Sequence, residues 1–250
     1  MLTRAFPLSI GLVAENLDLT TPAAAAQAWL VVSDALLRGL NHALSNRAAT
    51  VGAVSGVLDA SEPPSAAIVD VLRDEAARLD ELLQLARLLP GQRSLPEPVH
   101  LPDVVPAAVA LHAYHFDLRD TPCHLEGEAA VMPVLADPTA LTHALLMLLT
   151  VAKLAAAGGT VLLRHDGDDE RVTLTLDALP PDDGAAAGVP EEETMLTAAR
   201  TLLAASGALV RRHALERAAR YELTLPTLTA ARRAERARSV GLAPSEISGQ

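Results

Sequence analysis

The chain has 250 residues, of which 50% are hydrophobic but only 2% are aromatic, so its core must be built mainly from aliphatic and small side chains that favour helix. Acidic residues outnumber basic ones by 31 to 20, and the net charge of -11 argues against nucleic acid or an anionic membrane as a partner. Cys123 is the only cysteine, which excludes an intramolecular disulfide and favours a reducing, cytoplasmic location.

Residues 1–23 form an N-terminal segment whose short apolar run only faintly imitates a secretory signal. Pro7 and Gly11 interrupt the run, and no clean small-residue cleavage pattern follows. No stretch of the chain reaches the roughly 18 uninterrupted apolar residues that a membrane-spanning helix needs. We therefore predict neither a signal peptide nor a membrane partner.

Residues 24–90 are predicted to form a helical hairpin, because the only strong break in this region is the Ser- and Pro-containing cluster at 61–65. The first arm has the alternating three- and four-residue spacing of a coiled-coil seam at Leu30, Ser33, Leu37, Leu40, Leu44, Arg47, Val51, Val54 and Leu58. The second arm carries an apolar stripe at Ile68, Leu72, Leu79, Leu82, Ala86 and Leu89. Two helices cannot enclose both stripes, so we predict a homodimer whose two hairpins form a four-helix bundle.

Beyond Pro90 the pattern changes to short apolar runs between Pro, Gly and Asp clusters, which predicts an α/β sandwich over 97–226 and an α+β protein as a whole. Helices are predicted near 103–115, 138–157 and 192–206. Strands are predicted near 122–125, 131–135, 160–166, 170–177, 208–213 and 220–225. Residues 227–250 are predicted to be a frayed helix followed by a mobile C-terminal tail.

His42 is the leading candidate for chemistry. It lies away from the predicted seam, where no packing requirement explains an imidazole, so we expect it to be exposed. A neutral imidazole nitrogen on a rigid helix is suited to attack phosphorus, and Asn46, one turn later, could orient a phosphoryl oxygen. The same face carries a track of small residues that suits a partner helix, Ser45, Ala49, Gly52, Ala53 and Gly56. The alternative interpretation is an ordinary surface histidine beside glycines that permit close packing within the bundle.

The segment Gly39-Leu40-Asn41-His42-Ala43-Leu44-Ser45-Asn46-Arg47 resembles the phospho-acceptor box of two-component sensor histidine kinases, with its G-L-x-H-x-x-x-N pattern. Three downstream segments are similar to parts of their ATP-binding domain, in the same order: Pro98-Val99-His100-Leu101, Leu135-Ala136-Asp137-Pro138-Thr139-Ala140-Leu141 and Tyr221-Glu222-Leu223-Thr224-Leu225-Pro226. The resemblance implies that 24–90 is a dimerisation and phosphotransfer domain. It also implies that 97–226 is a histidine-kinase-like ATPase domain.

The positions that should bind nucleotide depart from this family. Met147 and Val151 stand where the family's N-box carries the asparagines that hold Mg²⁺ and phosphate. The D-x-G-x-G box that reads adenine is represented at best by Asp182-Asp183-Gly184, with Ala186 where the second glycine is expected. The glycine-rich lid is replaced by Glu192-Glu193-Thr194-Met195-Leu196-Thr197-Ala198, whose two acids would repel phosphate.

Ala43, directly after His42, also replaces the acid that commonly serves as base in autophosphorylation. These departures predict a degenerate ATPase domain without ATP-dependent kinase activity and without a cofactor. The chain is most similar to the dimeric bacterial histidine phosphotransferases. That resemblance implies that His42 carries phosphate between response-regulator receiver domains, with Mg²⁺ supplied by the receiver. Two alternatives stay open: a divergent sensor kinase that still uses ATP through Asp182, Asp183 and Gly184, and a non-catalytic pseudokinase scaffold.

Two other motifs receive no role. Four side chains of the zinc-ligand type lie close together at His112, His115, Cys123 and His124. Adjacent residues on a strand point to opposite faces, so Cys123 and His124 fit a tetrahedral site poorly, and we predict no metal. The arginines of 232–238 are interpreted as a solvated helix face.

Overall fold

The computed structural model describes residues 22–58, 63–90, 94–126, 131–181, 184, 186 and 188–239. Its first two helices, α1 (Pro22–Gly56) and α2 (Ala66–Ala86), pack against each other as a helical hairpin, as predicted. Ser65 caps α2, because its hydroxyl oxygen accepts a hydrogen bond from the amide of Ile68 at 3.4 Å. Most of the predicted N-terminal segment and the tail from 240 onward lie outside the described residues.

The face of α1 that is buried within the protomer is not the predicted seam. Of the seam positions only Ser33 and Leu40 are buried, whereas Leu30 and Leu37 are 59% and 45% exposed. The buried stripe consists of Ala25, Ala28, Val32, Leu36 and Leu40. The N-terminal half of α1 packs on helices of the α/β unit. Its buried stripe is therefore rotated around the helix axis from the predicted seam by about one residue, or roughly 100°. The four-helix bundle, which would use the seam, stays a prediction.

The rest of the described chain is an α/β unit built on a mixed sheet, which makes the protein α+β. The strands are β1 (Glu97–Val99), β2 (Cys123–Glu126), β3 (Val134–Ala136), β4 (Thr160–Gly167), β5 (Arg171–Leu179), β6 (Leu209–Ala214) and β7 (Ala219–Pro226). Five of them form one sheet in the order β2-β4-β5-β7-β6, in which only the β2–β4 pair is parallel. β1 and β3 form a separate antiparallel pair.

β1 is the one described strand that the sequence pattern does not predict. It has three residues, one of which is Pro98, so it shows no alternation of apolar and polar side chains. It exists because it pairs with β3, with Pro98 opposite Leu135. The other six strands lie within a few residues of their predicted positions.

Four further helices complete the unit: α3 (Leu101–His112), α4 (Pro138–Ala156), α5 (Glu192–Leu203) and α6 (Leu228–Ser239). α4 begins after Asp137, whose carboxylate accepts hydrogen bonds from the amides of Thr139 and Ala140 at 2.9 and 3.2 Å. α4 meets the length and composition criteria for a membrane span, but 89% of that stretch is buried inside the protein. Its apolar sequence is therefore explained by its place in the core, in contact with α1, α3, α5 and the sheet.

The predicted frayed helix near the C-terminus is α6, which packs on β3 and β7. Ala237 is buried on its inner face, and the amide of Leu228 donates to the carbonyl of Pro133 at 2.7 Å. Arg233, one of the arginines interpreted as a solvated face, pairs with Glu170 in the β4–β5 turn. The helix is thus attached to the α/β unit rather than detached from it.

Candidate functional site

His42 lies in the second half of α1, and its imidazole is exposed, as predicted. Its Nε2 is 3.3 Å from Nδ2 of Asn46, so the two side chains form a pair on one face of the helix. With the imidazole proton on Nδ1, the amide of Asn46 donates to the lone pair of Nε2. Because α1 is unbroken from Pro22 to Gly56, its backbone presents both side chains on one face of the helix.

Both side chains face a cleft of about 510 Å³ that lies between three parts of the chain. α1 and α2 form two of its walls, and residues 113–119, which follow α3, form the third. The other charged and aromatic side chains that line it are Arg47, Arg78, Glu81, Tyr114, Phe116 and Arg119. The sequence pattern predicts the histidine and the amide as site residues, but it assigns none of these neighbours to the site.

The third wall, residues 113–119, is fixed against α1 at Gly39. A Cβ atom at Gly39 would lie 1.6 Å from the carbonyl oxygen of Tyr114, so this approach requires glycine. One turn earlier along α1, the carbonyl of Ala35 accepts a hydrogen bond from the amide of Phe116 at 3.3 Å. These contacts join residues far apart in the sequence, and a glycine inside a long helix is the only local signal of them.

A buried carboxylate, Glu75, joins the two arms of the hairpin beside the cleft. It is 4% exposed and accepts hydrogen bonds from Nη1 of Arg47 at 3.2 Å and from Nη1 of Arg78 at 2.8 Å. Arg47 is the charged position of the predicted seam, and this ion pair explains its presence there. Because two guanidinium groups share one carboxylate, the cluster of Arg47, Glu75 and Arg78 carries a net positive charge, although the net charge of the chain is -11.

The small residues predicted to form a docking track are all exposed. They are Ser45, Ala49, Gly52, Ala53 and Gly56, and we call them the docking strip. A Cβ atom added at Gly52 or Gly56 would meet nothing within 4 Å. Packing within the protomer therefore does not explain these two glycines.

The two residues that the sequence resemblance places at the N-box positions are part of the core. Met147 and Val151 on α4 are both 0% exposed. The N-terminal half of α1 packs over α4 and α5, and the ring of Trp29 stacks on that of His143 with centroids 3.6 Å apart. Neither replacement side chain carries an oxygen or nitrogen that could hold Mg²⁺ or phosphate.

The segment that the resemblance places at the other nucleotide-binding motifs is hydrogen-bonded to the sheet. Glu192, at the start of α5, accepts hydrogen bonds from the hydroxyl of Tyr221 and from Nε of Arg212, the latter at 2.8 Å. Burial and the neighbouring Glu192 carboxylate raise the pKa of the Tyr221 hydroxyl. The carbonyl of Gly184 accepts from Arg217 at 3.2 Å, whereas Asp182 and Asp183 lie outside the described residues.

Two of the three histidines of the possible zinc site, His112 and His115, belong to a buried polar cluster, whereas His124 is exposed. Nε2 of His112 is 3.0 Å from the hydroxyl of Thr150, which itself donates to the carbonyl of Leu146, so His112 carries its proton on Nε2. Burial lowers the pKa of His112 well below its usual range, lowers that of His115 to about 4 and raises that of Cys123 to about 11. Among the described residues no group of three or more His, Cys, Asp or Glu side chains is placed to hold a metal ion.

No protein-family model matches the chain, and no curated protein sequence matches it significantly. Among solved structures, the Acinetobacter baumannii histidine kinase AdeS is 15% identical over 77% of this chain and 97% of its own, with a TM-score of 0.44. A bacterial phosphotransferase is 15% identical over 78% of this chain and 96% of its own, with a TM-score of 0.38. The histidine kinase ThkA, solved with the response regulator protein TrrA, is 14% identical over 75% of this chain and 59% of its own, with a TM-score of 0.42.

Proposed function

We propose that this chain is a cytoplasmic histidine phosphotransferase of a bacterial two-component phosphorelay, in which His42 carries phosphate between response-regulator receiver domains. The observation that carries the proposal is the exposed pair of His42 and Asn46 on an unbroken helix, facing a cleft with arginines on its other walls. An ordinary surface histidine would need neither the neighbouring amide nor the positive charge.

The proposed reaction needs little from this chain beyond a positioned nucleophile. Nε2 of His42 attacks the phosphorus of the receiver's aspartyl phosphate, the P–O bond to the aspartate breaks, and the carboxylate leaves as the receiver's own side chain. The Nδ1 proton is released to water. Asn46 gives up its hydrogen bond to Nε2 and turns its N–H groups toward the phosphoryl oxygens. Mg²⁺ in this reaction belongs to the receiver.

The docking strip and the proposed dimer seam lie on different faces of α1, so one protomer can use both at once. A receiver helix would lie along the strip, where side chains are small and exposed. For the dimer, the supporting feature is a set of exposed apolar side chains on the hairpin, Leu30, Val31, Leu37, Val57, Leu58, Val69, Val71 and Leu83. The proposed homodimer would cover part of this set within a four-helix bundle.

The proposed function can be tested by incubating the full chain with a phosphorylated receiver domain and detecting acid-labile phosphate on the chain. The wild type should be labelled on His42, and His42→Ala should lose the label while melting within about 2 °C of the wild type, because an exposed position contributes no core packing. Asn46→Ala should slow transfer without preventing it. His124→Ala, which removes another exposed histidine, is the matched control and should be labelled normally.

Each alternative function has its own result in this assay. Label that persists in His42→Ala, or a wild type that accepts no phosphate from any receiver, would favour the scaffold. Labelling by Mg²⁺-ATP alone would favour the divergent kinase.

A further inference from the structure

We propose that Arg119 binds the phosphoryl group carried by His42. This inference rests on the proposed function and adds a residue from the α/β unit to a site otherwise built on the helical hairpin. It predicts that the chemistry depends on the third wall of the cleft as well as on α1.

Arg119 and His42 line the same cleft, and packing fixes the backbone segments that carry them. Arg119 ends the 113–119 wall, and that wall meets α1 at Gly39, less than one turn before His42. Its guanidinium carbon lies 5.9 Å from the ring centroid of Phe116, and that of Arg38 lies 5.5 Å from the same centroid. Phe116 in turn is anchored to α1 through its backbone amide.

Arg119 also differs from the other arginines of the cleft in what it binds. Arg47 and Arg78 both donate to the buried carboxylate of Glu75. Among the described residues, the carboxylate nearest to Arg119 is Asp120, at 3.9 Å, which is beyond hydrogen-bond distance. The side chain of Arg119 is 54% exposed, so its planar set of N–H donors faces solvent at the cleft.

The charge of the cleft suits a phosphoryl group on His42. Three guanidinium groups, on Arg47, Arg78 and Arg119, and one carboxylate, on Glu81, line the cleft. The carboxylates of Glu75 and Asp120 lie beside these arginines but outside the lining. A phosphoryl group bonded to Nε2 adds roughly two negative charges to the cleft. These charges lie on oxygens that a guanidinium group can bind in pairs. Arg47 and Arg78 already share their charge with Glu75. Of the three arginines that line the cleft, Arg119 is the one with no hydrogen bond to a carboxylate among the described residues, so its N–H groups can donate to those oxygens as the bond to phosphorus forms.

The test uses potassium phosphoramidate as a small phosphoryl donor, so that no receiver is needed. Nε2 of His42 attacks phosphorus, the P–N bond breaks, and the nitrogen leaves as ammonia, which takes up the proton from Nδ1. Arg119→Gln should lower the second-order rate of labelling at least tenfold, and Arg119→Lys should recover at least a third of the wild-type rate because it restores the charge. Arg73→Ala, which removes an exposed arginine of α2 that pairs with Asp70 outside the cleft, should label at the wild-type rate.

The outcomes separate this inference from the proposed function. If the wild type is labelled on His42 and Arg119→Gln is labelled equally fast, Arg119 does not bind the phosphoryl group, and the proposed function is unaffected. If Arg119→Gln and Arg119→Lys lose rate equally and melt several degrees lower, Arg119 is a structural residue and the inference fails. A wild type that phosphoramidate does not label on His42 would overturn the inference together with the proposed function.

Discussion

Replacing Gly39 with alanine should force α1 and the 113–119 wall apart. The new Cβ would start 1.6 Å from the carbonyl oxygen of Tyr114, whereas a carbon and an oxygen in contact sit roughly 3.3 Å apart, so the wall must retreat by about 1.7 Å. Overpacking of this kind costs about 1–3 kcal/mol, and the hydrogen bond from Phe116 to Ala35 is worth about 1 kcal/mol more. This loss is offset by about 1 kcal/mol, because alanine is a better helix former than glycine. The net expectation is a destabilisation of about 2 kcal/mol.

The assay is urea unfolding followed by circular dichroism, with Gly52→Ala as the matched control. Both glycines lie inside α1, but a Cβ at Gly52 meets nothing within 4 Å, so this variant should be stabilised by about 0.5–1 kcal/mol. The two variants should therefore differ by about 3 kcal/mol in the free energy of unfolding. If Gly39→Ala is as stable as Gly52→Ala, residues 113–119 do not pack on α1, and the cleft does not have the third wall described above.

Three further predictions concern assembly, nucleotide and pH. Light scattering should show that the wild type is a homodimer of twice 26.1 kDa. Leu37→Asp should be a folded monomer, because it places a charge at a half-exposed position of the seam. A monomeric wild type at micromolar concentration would contradict the dimer. Calorimetry should detect no binding of Mg²⁺-ATP tighter than about 100 μM, because Met147 and Val151 offer no ligand; a tighter complex would revive the kinase alternative. The free energy of unfolding should fall as the pH drops from 6.5 toward 4, because burial holds the pKa of His115 at about 4 and the unfolded chain binds the proton first. His115 alone accounts for about 3 kcal/mol of this loss, and His112 and His143 act in the same direction. Unchanged stability between pH 7 and pH 5 would show that these histidines are not buried in the neutral form.

The sequence pattern predicts most of the fold because the relevant signals lie within short windows. α4 is predicted at 138–157 and found at Pro138–Ala156, since an apolar run, a capping aspartate and a proline are all adjacent in the chain. The buried face of α1 could not be predicted, because it is decided by contact with α5, far along the chain. The heptad spacing shows only that an apolar stripe exists and leaves open what covers it.

The candidate site divides in the same way. The exposure of His42 and its proximity to Asn46 follow from helical periodicity alone. The third wall and Arg119 depend on a close backbone approach at Gly39, which no periodicity encodes. The role of Arg47 was likewise hidden, because its partner Glu75 lies on the other arm of the hairpin and is recognised only when the two arms are packed.

The continuity of α1 has a mechanical consequence. The part of α1 that ends at Leu40 packs on the α/β unit through Val32, Leu36 and Leu40, each at most 1% exposed, and the part that follows holds His42. Detaching these three side chains would cost roughly 5–9 kcal/mol, so fewer than about one molecule in several thousand would have the histidine free to swing relative to the sheet. If the proposed function is correct, a phosphoryl group on His42 would be held in one position relative to the α/β unit, and no detachment of α1 would be needed to present it to a partner.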